Sequence, residues 1–179
     1  MKNIKIENVV ISGSFNQKIP LKTLVSKLKT VEYNPDRFPG AVLRFVDPKL
    51  SVLLFKSGSI VMTGLKSVKE VDDSVERIRH ELSKVNINLT NEVGTKVQNI
   101  VASIKTDLKL NLDELAFTLD NTEFNPEQFP GLVYRPDDSG VSFLLFSKGN
   151  FVCVGAKSVG QIKKELDLLV GKIKEEGMG

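Results

Sequence analysis

Residues 8 to 88 align with residues 99 to 179 at a constant offset of 91, without a gap, and 26 of the 81 positions are identical. The identities concentrate in the middle, where residues 32 to 68 match residues 123 to 159 at 19 of 37 positions. Such a repeat is too long for a solenoid unit, and two copies are too few for an array. The expected product is one pseudo-twofold body, with residues 1–90 as the first repeat and residues 91–179 as the second.

Each repeat reads alike element by element. A strand near Ile4 to Ser12 (Lys96 to Ile104) precedes a short helix with Leu21, Leu24 and Leu28 on one face (Leu112, Leu115 and Leu119). Three apolar pieces follow, Ala41 to Val46, Ser51 to Lys56 and Ser59 to Gly64, separated by short turns such as Asp47-Pro48-Lys49. Connections that short join antiparallel neighbours. A long helix closes each repeat, with Val68, Val71, Val75, Ile78, Leu82 and Val85 in one copy and Val159, Ile162, Leu166, Leu169 and Ile173 in the other at spacings of three and four.

The alternation along the strands leaves one face unaccounted for. Leu53 and Phe55 share one side while Val52 and Leu54 share the other, and both sides are apolar. An antiparallel sheet ordinarily turns polar residues to solvent, and each repeat has helix enough for only one face. The second face is therefore covered either by the other repeat's sheet or by an external partner that meets a broad apolar surface.

Charge and composition narrow the classes. The chain of 179 residues is 41% hydrophobic with formal net charge +3, the composition of an ordinary globular protein. That charge is divided unequally, since residues 1–90 carry +6 and residues 91–179 carry −3. A basic half is compatible with a polyanion. No apolar run approaches the ~18 residues that span a bilayer, and the start lacks the core of a secretory signal, so no membrane association is expected. One Cys (Cys153) and one His (His80) are too few for a disulfide or a structural zinc site. His80 has no neighbouring nucleophile, Cys153 matches Met62 as a core position, and the pairs Asp72-Asp73 and Asp137-Asp138 lack metal-ligand spacing. Neither catalysis nor a cofactor or metal is expected.

The motif Glu32-Tyr33-Asn34-Pro35-Asp36-Arg37-Phe38-Pro39-Gly40 returns as Glu123-Phe124-Asn125-Pro126-Glu127-Gln128-Phe129-Pro130-Gly131. Leu53-Leu54-Phe55 returns as Leu144-Leu145-Phe146, Thr63-Gly64-Leu65-Lys66-Ser67 as Val154-Gly155-Ala156-Lys157-Ser158, and Asn8-Val9-Val10 as Asn99-Ile100-Val101. These paired motifs resemble the TATA-binding protein family over nearly the whole chain. Without a long amino-terminal extension, the chain looks more like an archaeal member than a eukaryotic one. The resemblance implies an α+β saddle, a curved antiparallel sheet running across both repeats with helices on its convex side. It also implies a general transcription initiation factor on the minor groove of A·T-rich promoter DNA. The family is itself the standard example of apolar wedges kinking DNA, so a bend is inherited from it.

Carried over position by position, the wedges match Phe38 and Phe55 in the first repeat and Phe129 and Phe146 in the second. The central amides match Asn8 and Asn99, which suit a groove that offers A·T pairs only acceptors. The floor matches Val10, Leu53, Val61 and Thr63, and Val101, Leu144, Val152 and Val154. Phosphate contacts fall to Arg37, Arg44, Lys49, Lys56, Arg135 and Lys148. Contact with transcription factor B falls to Glu127 and Gln128, with RNA polymerase recruited indirectly. The resemblance implies a monomer on DNA, cytoplasmic and nucleoid-associated if archaeal, nuclear if eukaryotic. Three departures stand out: Val154 replaces a usual Thr, and Ser59 and Asn150 replace usual basic residues. A second reading is a divergent interaction module whose concave face takes a protein or small ligand, and a third is a homodimer or closed sandwich that buries that face.

Overall fold

The computed structural model describes residues 2–177. Its chain forms two compact units, residues 8–98 and residues 2–7 with 99–177, so the opening residues belong with the second repeat. The unit of residues 8–98 holds most of β1 (Asn3–Ser14), then α1 (Leu21–Lys27), β2 (Val31–Glu32), β3 (Ala41–Phe45), β4 (Leu50–Leu54), β5 (Ser59–Leu65) and α2 (Val71–Ser83). The other unit holds the later residues of β6 (Gly94–Lys105), α3 (Leu112–Thr118), β7 (Thr122–Glu123), β8 (Leu132–Tyr134), β9 (Ser142–Leu145), β10 (Asn150–Ala156) and α4 (Val159–Glu175). In hydrogen-bonding order the strands of one unit run β2-β3-β4-β5-β1, and those of the other β6-β10-β9-β8-β7.

Period-two alternation gives each unit one dry face. In the first unit Leu43, Val52, Met62 and Ile11 stand opposite one another across four antiparallel strands and are fully buried. Val71, Val75, Ile78 and Leu82 of α2 are buried as well. The second unit repeats the row as Tyr134, Phe143, Cys153 and Ala102, with Ile162, Leu166, Leu169 and Ile173 of α4 buried. Burial of a large aliphatic or aromatic side chain stabilises by roughly 1.5–3 kcal/mol, so these rows and helix stripes carry the fold.

The first long helix starts later than its apolar spacing predicts, whereas α4 starts at Val159 as the spacing has it. In the first unit the opening turn is a 3-10 turn, Val68–Glu70, capped by Ser67 Oγ accepting from Lys69 N at 3.2 Å, and α2 begins at Val71. In the second, Ser158 Oγ accepts from Gln161 N at 3.0 Å and Gln161 Oε1 accepts from Lys157 N at 2.8 Å, a reciprocal cap. Val68 and Val159, read from the spacing as part of the buried stripe, therefore occupy first-turn positions and stay 45% and 38% exposed. Residues joining the repeats are pinned by side chains that the periodicity does not report. Arg79 of α2 donates to the carbonyls of Leu89 and Asn91, and Gln17 Nε2 donates to the Asn88 carbonyl at 2.7 Å.

Cys153 gives a pH test of this packing. Its thiol is fully buried, and burial with the nearby Glu165 carboxylate pushes its pKa up from 9.0 to about 12. The unfolded chain therefore loses this proton near pH 9 while the folded chain keeps it. The contribution to stability is full below pH 9 and falls as pH rises from there toward 12. Denaturant midpoints measured from pH 8 to 11 should fall more steeply for the unmodified chain than for Cys153→Ala. Parallel curves would mean that the thiol titrates alike in both states.

Candidate nucleic-acid interface

The second strand face in each unit is built from the residues between the buried ones. Val42, Leu53, Val61 and Ser12 face one another across β3, β4, β5 and β1, and all four are half-buried. Val133, Leu144, Val152 and Ser103 form the equivalent half-buried row. Thr63 pairs with Ser51, and Val154 with Ser142, one step along each row. Val10 and Val101 are half-buried on the neighbouring strands. The expected floor residues thus share one face in each unit. Val42, Ser12, Val133 and Ser103 belong with them; the serines escape a reading by apolar period because they are polar positions in apolar rows.

A bulge fixes the two asparagines. Pairing between β1 and β5 slips between Val9 and Ile11, and Gly64 there takes a left-handed φ of 105°. Its N–H, turned out of the ladder, donates to Asn8 Oδ1 at 2.8 Å. The second unit repeats the device: Gly155 has φ 90°, and its N–H donates to Asn99 Oδ1 at 2.7 Å. With each amide oxygen so engaged, the amide nitrogen and its two N–H donors are the end left for a partner. Period two gives no sign of this, because the slip and a bond spanning 56 residues are both tertiary.

The aromatic pairs follow from the Phe-Pro-Gly turns. Phe38 N donates to the Asn34 carbonyl at 3.0 Å, which curls the turn so that the ring meets Phe55 edge to face, with centroids 5.8 Å apart and planes at 65°. Phe129 N donates to Asn125 at 2.9 Å, and Phe129 meets Phe146 with centroids 5.8 Å apart at 69°. The glycine after each Pro is a space requirement. A Cβ on Gly40 would lie 2.6 Å from Phe38 Cε1 and 3.1 Å from Phe55 Cε1; on Gly131 it would lie 2.7 Å from Phe129 Cε1 and 3.0 Å from Phe146 Cε1. Phe38 and Phe129 are each 41% exposed, an unusual display of apolar ring.

The cations around these faces are not equivalent. Arg37, Lys49 and Lys56 are exposed in the first unit and Lys148 in the second. Arg44 and Arg135 each hold a carboxylate across the sheet edge, Glu32 at 3.6 Å and Glu123 at 3.2 Å. Both pairs are solvent-exposed and so weak enough to exchange for another anion. At the turn where the first repeat has Lys49, the second has Asp137, whose Oδ1 accepts from Asn121 Nδ2 at 2.6 Å, then Asp138. Glu127 and Gln128 are exposed on the turn closed by Gln128 N donating to Asn125 at 3.1 Å. His80 is exposed on α2. Among the described residues no cluster of three His, Cys, Asp or Glu could hold a metal, and no helix is long and apolar enough to cross a membrane.

These features define a class of duplicated α+β proteins that leave a strand face, rather than a pocket, open in each repeat. The family model for "Transcription factor TFIID (or TATA-binding protein, TBP)" matches residues 3–85 and 94–175. The TATA-box-binding protein of Sulfolobus acidocaldarius is 41% identical over 172 residues, covering 96% of this chain and 87% of that protein. That of Methanothermobacter thermautotrophicus is 40% identical over 173 residues, covering 97% and 96%. The solved structure of Methanococcus jannaschii TBP superposes with a TM-score of 0.90 at 40% identity, over 97% of this chain and 99% of that one. The chain belongs to the TATA-binding protein family and has its fold. It is a transcription factor of archaeal type and not an enzyme.

Proposed function

We propose that this protein is a general transcription initiation factor that binds the minor groove of A·T-rich promoter DNA, kinks it with its paired phenylalanines, and recruits transcription factor B and thereby RNA polymerase. The observation that carries the reading is the chemistry of the open face in each unit: an apolar floor, one amide whose oxygen is internally bonded, and a displayed aromatic pair. The minor-groove edge of an A·T pair has acceptors and no donor, so a floor that excludes water and offers N–H groups complements it. Guanine adds an amine there, which meets that amide with donor against donor. The rings Phe38 with Phe55, and Phe129 with Phe146, are wedges for opening base steps, and the unstacking they cause is offset by the extra surface the bent duplex buries.

Val10, Leu53, Val61 and Thr63, with Val101, Leu144, Val152 and Val154, line the groove in this reading, and Asn8 and Asn99 donate to its acceptors. Arg37, Lys49, Lys56 and Lys148 meet phosphates directly, whereas Arg44 and Arg135 exchange Glu32 and Glu123 for phosphate. The protein works as a monomer on DNA in the cytoplasm, at the nucleoid. A gel-shift titration on a TATA-like duplex against a G·C-scrambled one, with and without factor B, tests the reading. Selective binding strengthened by factor B is expected; absence of binding to either duplex by folded protein would transfer the family fold to an interaction module.

Glu127 and Gln128 form the factor B contact because they are exposed side chains on the turn before the second-repeat ring Phe129. Reversing charge there by Glu127→Arg should weaken ternary complex formation by about tenfold, as loss of a charged interface pair commonly does. Binary DNA binding should stay unchanged or strengthen slightly. Equal loss of both complexes would refute the assignment.

A further inference from the structure

Phe117 is the most exposed large apolar side chain among the described residues. It stands 92% exposed on α3, whereas Leu112 and Leu115 of the same helix are buried and hold that helix to its unit. The first unit shows that the fold does not require this display. Its equivalent helix, α1, carries Ser26 at that position, exposed, with the hydroxyl donating to the Thr23 carbonyl at 2.8 Å. The surroundings are reversed in charge as well. Lys22, Thr23 and Lys29 beside Ser26 become Asp113, Glu114 and Asp120 beside Phe117, all of them exposed, so that +2 is replaced by −3. Side chains three and four apart on a helix are surface neighbours, which puts Asp113 and Glu114 next to the ring. Those two suit the start of a helix on their own account. Asp120 does not, because it follows the helix end, where the dipole disfavours an anion. Lys172 Nζ lies near Asp120 but is held by Tyr134 Oη, to which it donates at 3.1 Å, and so offsets that carboxylate only in part.

We propose that the α3 surface around Phe117 is a docking site for a basic, arginine-bearing segment of another protein, with a guanidinium stacked on the ring and neighbouring cations paired to Asp113, Glu114 and Asp120. The charges select the class of partner. A nucleic acid is repelled by the three carboxylates. A wholly apolar surface would bury Asp113 and Glu114 without a counter-charge, which costs more than covering one ring returns. A basic segment meets both demands, because a cation is attracted to the face of an aromatic ring as well as to a carboxylate. Arginine suits the site better than lysine, since its planar guanidinium lies flat on the ring while its N–H fork reaches a carboxylate. The site is separate from the open strand face of the same unit, whose rows come from β6, β8, β9 and β10. Its occupation therefore goes beyond DNA binding, leaving that face free.

The chain has no Trp, so Phe117→Trp, and Ser26→Trp as its control, each place a single fluorescent reporter in the full protein. The probe is a terminally blocked peptide of alternating arginine and leucine, with versions in which lysine or glutamate replaces arginine. Emission of the Phe117→Trp protein should shift and saturate with the arginine peptide, respond about threefold more weakly to the lysine peptide, and ignore the glutamate one. The Ser26→Trp protein should respond to none of them. In anisotropy with labelled arginine peptide, Phe117→Ala should weaken binding about tenfold or more, as loss of an aromatic anchor does. Asp113→Asn combined with Asp120→Asn should weaken it about fivefold, and less as salt rises. Phe117→Ala should leave both the melting temperature and the affinity for a TATA-like duplex unchanged, because the ring is 92% exposed and stands off the open face. Arginine-peptide binding that is equal in Phe117→Ala and unmodified protein overturns the inference. Phe117-dependent dimerisation in sedimentation without peptide overturns it too, by making the occupant a second copy, and so does a loss of duplex affinity in Phe117→Ala, which would put the ring on DNA.

Discussion

Replacing Phe38 and Phe129 together by Ala is expected to weaken binding to a TATA-like duplex by roughly 10- to 100-fold and to abolish the bend measured by end-to-end energy transfer. The magnitude follows from burial. Both rings are 41% exposed in the free chain, and inserting each between base steps removes its remaining apolar surface from water. Full burial of such a ring is worth roughly 1.5–3 kcal/mol, and the exposed 41% accounts for about two-fifths of it, hence about 1.2–2.5 kcal/mol for the pair. Folding should lose about 1–3 kcal/mol, well short of a core deletion. Each ring gives up one edge-to-face contact, with Phe55 or Phe146, worth about 0.5–1.5 kcal/mol. The variant should thus unfold within several degrees of the unmodified protein while losing its DNA. A collapse of thermal stability comparable to a core deletion would show instead that the rings hold the turns, and a bend that survives would remove them as wedges.

What the sequence made legible, and what it hid, divides along a physical line. Period-two alternation is local and appears twice, so the dry rows through Val52 and Phe143 and the open rows through Leu53 and Leu144 could be read from either copy. The two-residue strands Val31–Glu32 and Thr122–Glu123 could not, because they are defined only by pairing to β3 and β8. Val68 continues a helical spacing backward into a 3-10 turn capped by Ser67, and Val159 falls in the exposed first turn of α4 after its Ser158 cap; local spacing cannot see a cap's geometry. The phenylalanines and asparagines came from family motifs, while their geometry came from tertiary contacts: Gly40 and Gly131 leave room for the rings, and Gly64 and Gly155 engage the amide oxygens. Ser12 and Ser103 carry no signal in the sequence, since neither apolar period nor motif marks them. Their difference lies in partners, Gln98 and Glu7, whose proximity only the folded strands reveal.

The electrical inequality of the repeats leads to the second large effect. Arg37, Lys49 and Lys56 are exposed cations of the first unit, whereas the second offers Gln128, Gly140 and Ser147 at the equivalent positions, with Lys148 one step further. Arg135 is held by Glu123 at 3.2 Å, and Asp137 and Asp138 lie on the same rim turn. Each phosphate contact releases a counterion and adds about 0.9 to the slope of log affinity against log salt. Neutralising Arg37, Lys49 and Lys56 to Ala should therefore make that slope shallower by about 2.7 and lower affinity at 0.1 M salt by roughly 100-fold or more. Neutralising Arg135 and Lys148 should cost less than about tenfold, because Arg135 must first give up Glu123 and its replacement leaves less charge to lose. With Ser59 and Asn150 at positions where the resemblance implies basic residues, the unmodified protein should also bind more weakly than the Sulfolobus acidocaldarius relative at low salt, the difference narrowing as salt rises. Equal losses from the two sets of substitutions would mean that the repeats share the phosphate contacts evenly despite their charges. An unchanged slope in the triple variant would place the DNA away from all three side chains, and with them away from the open face of residues 8–98.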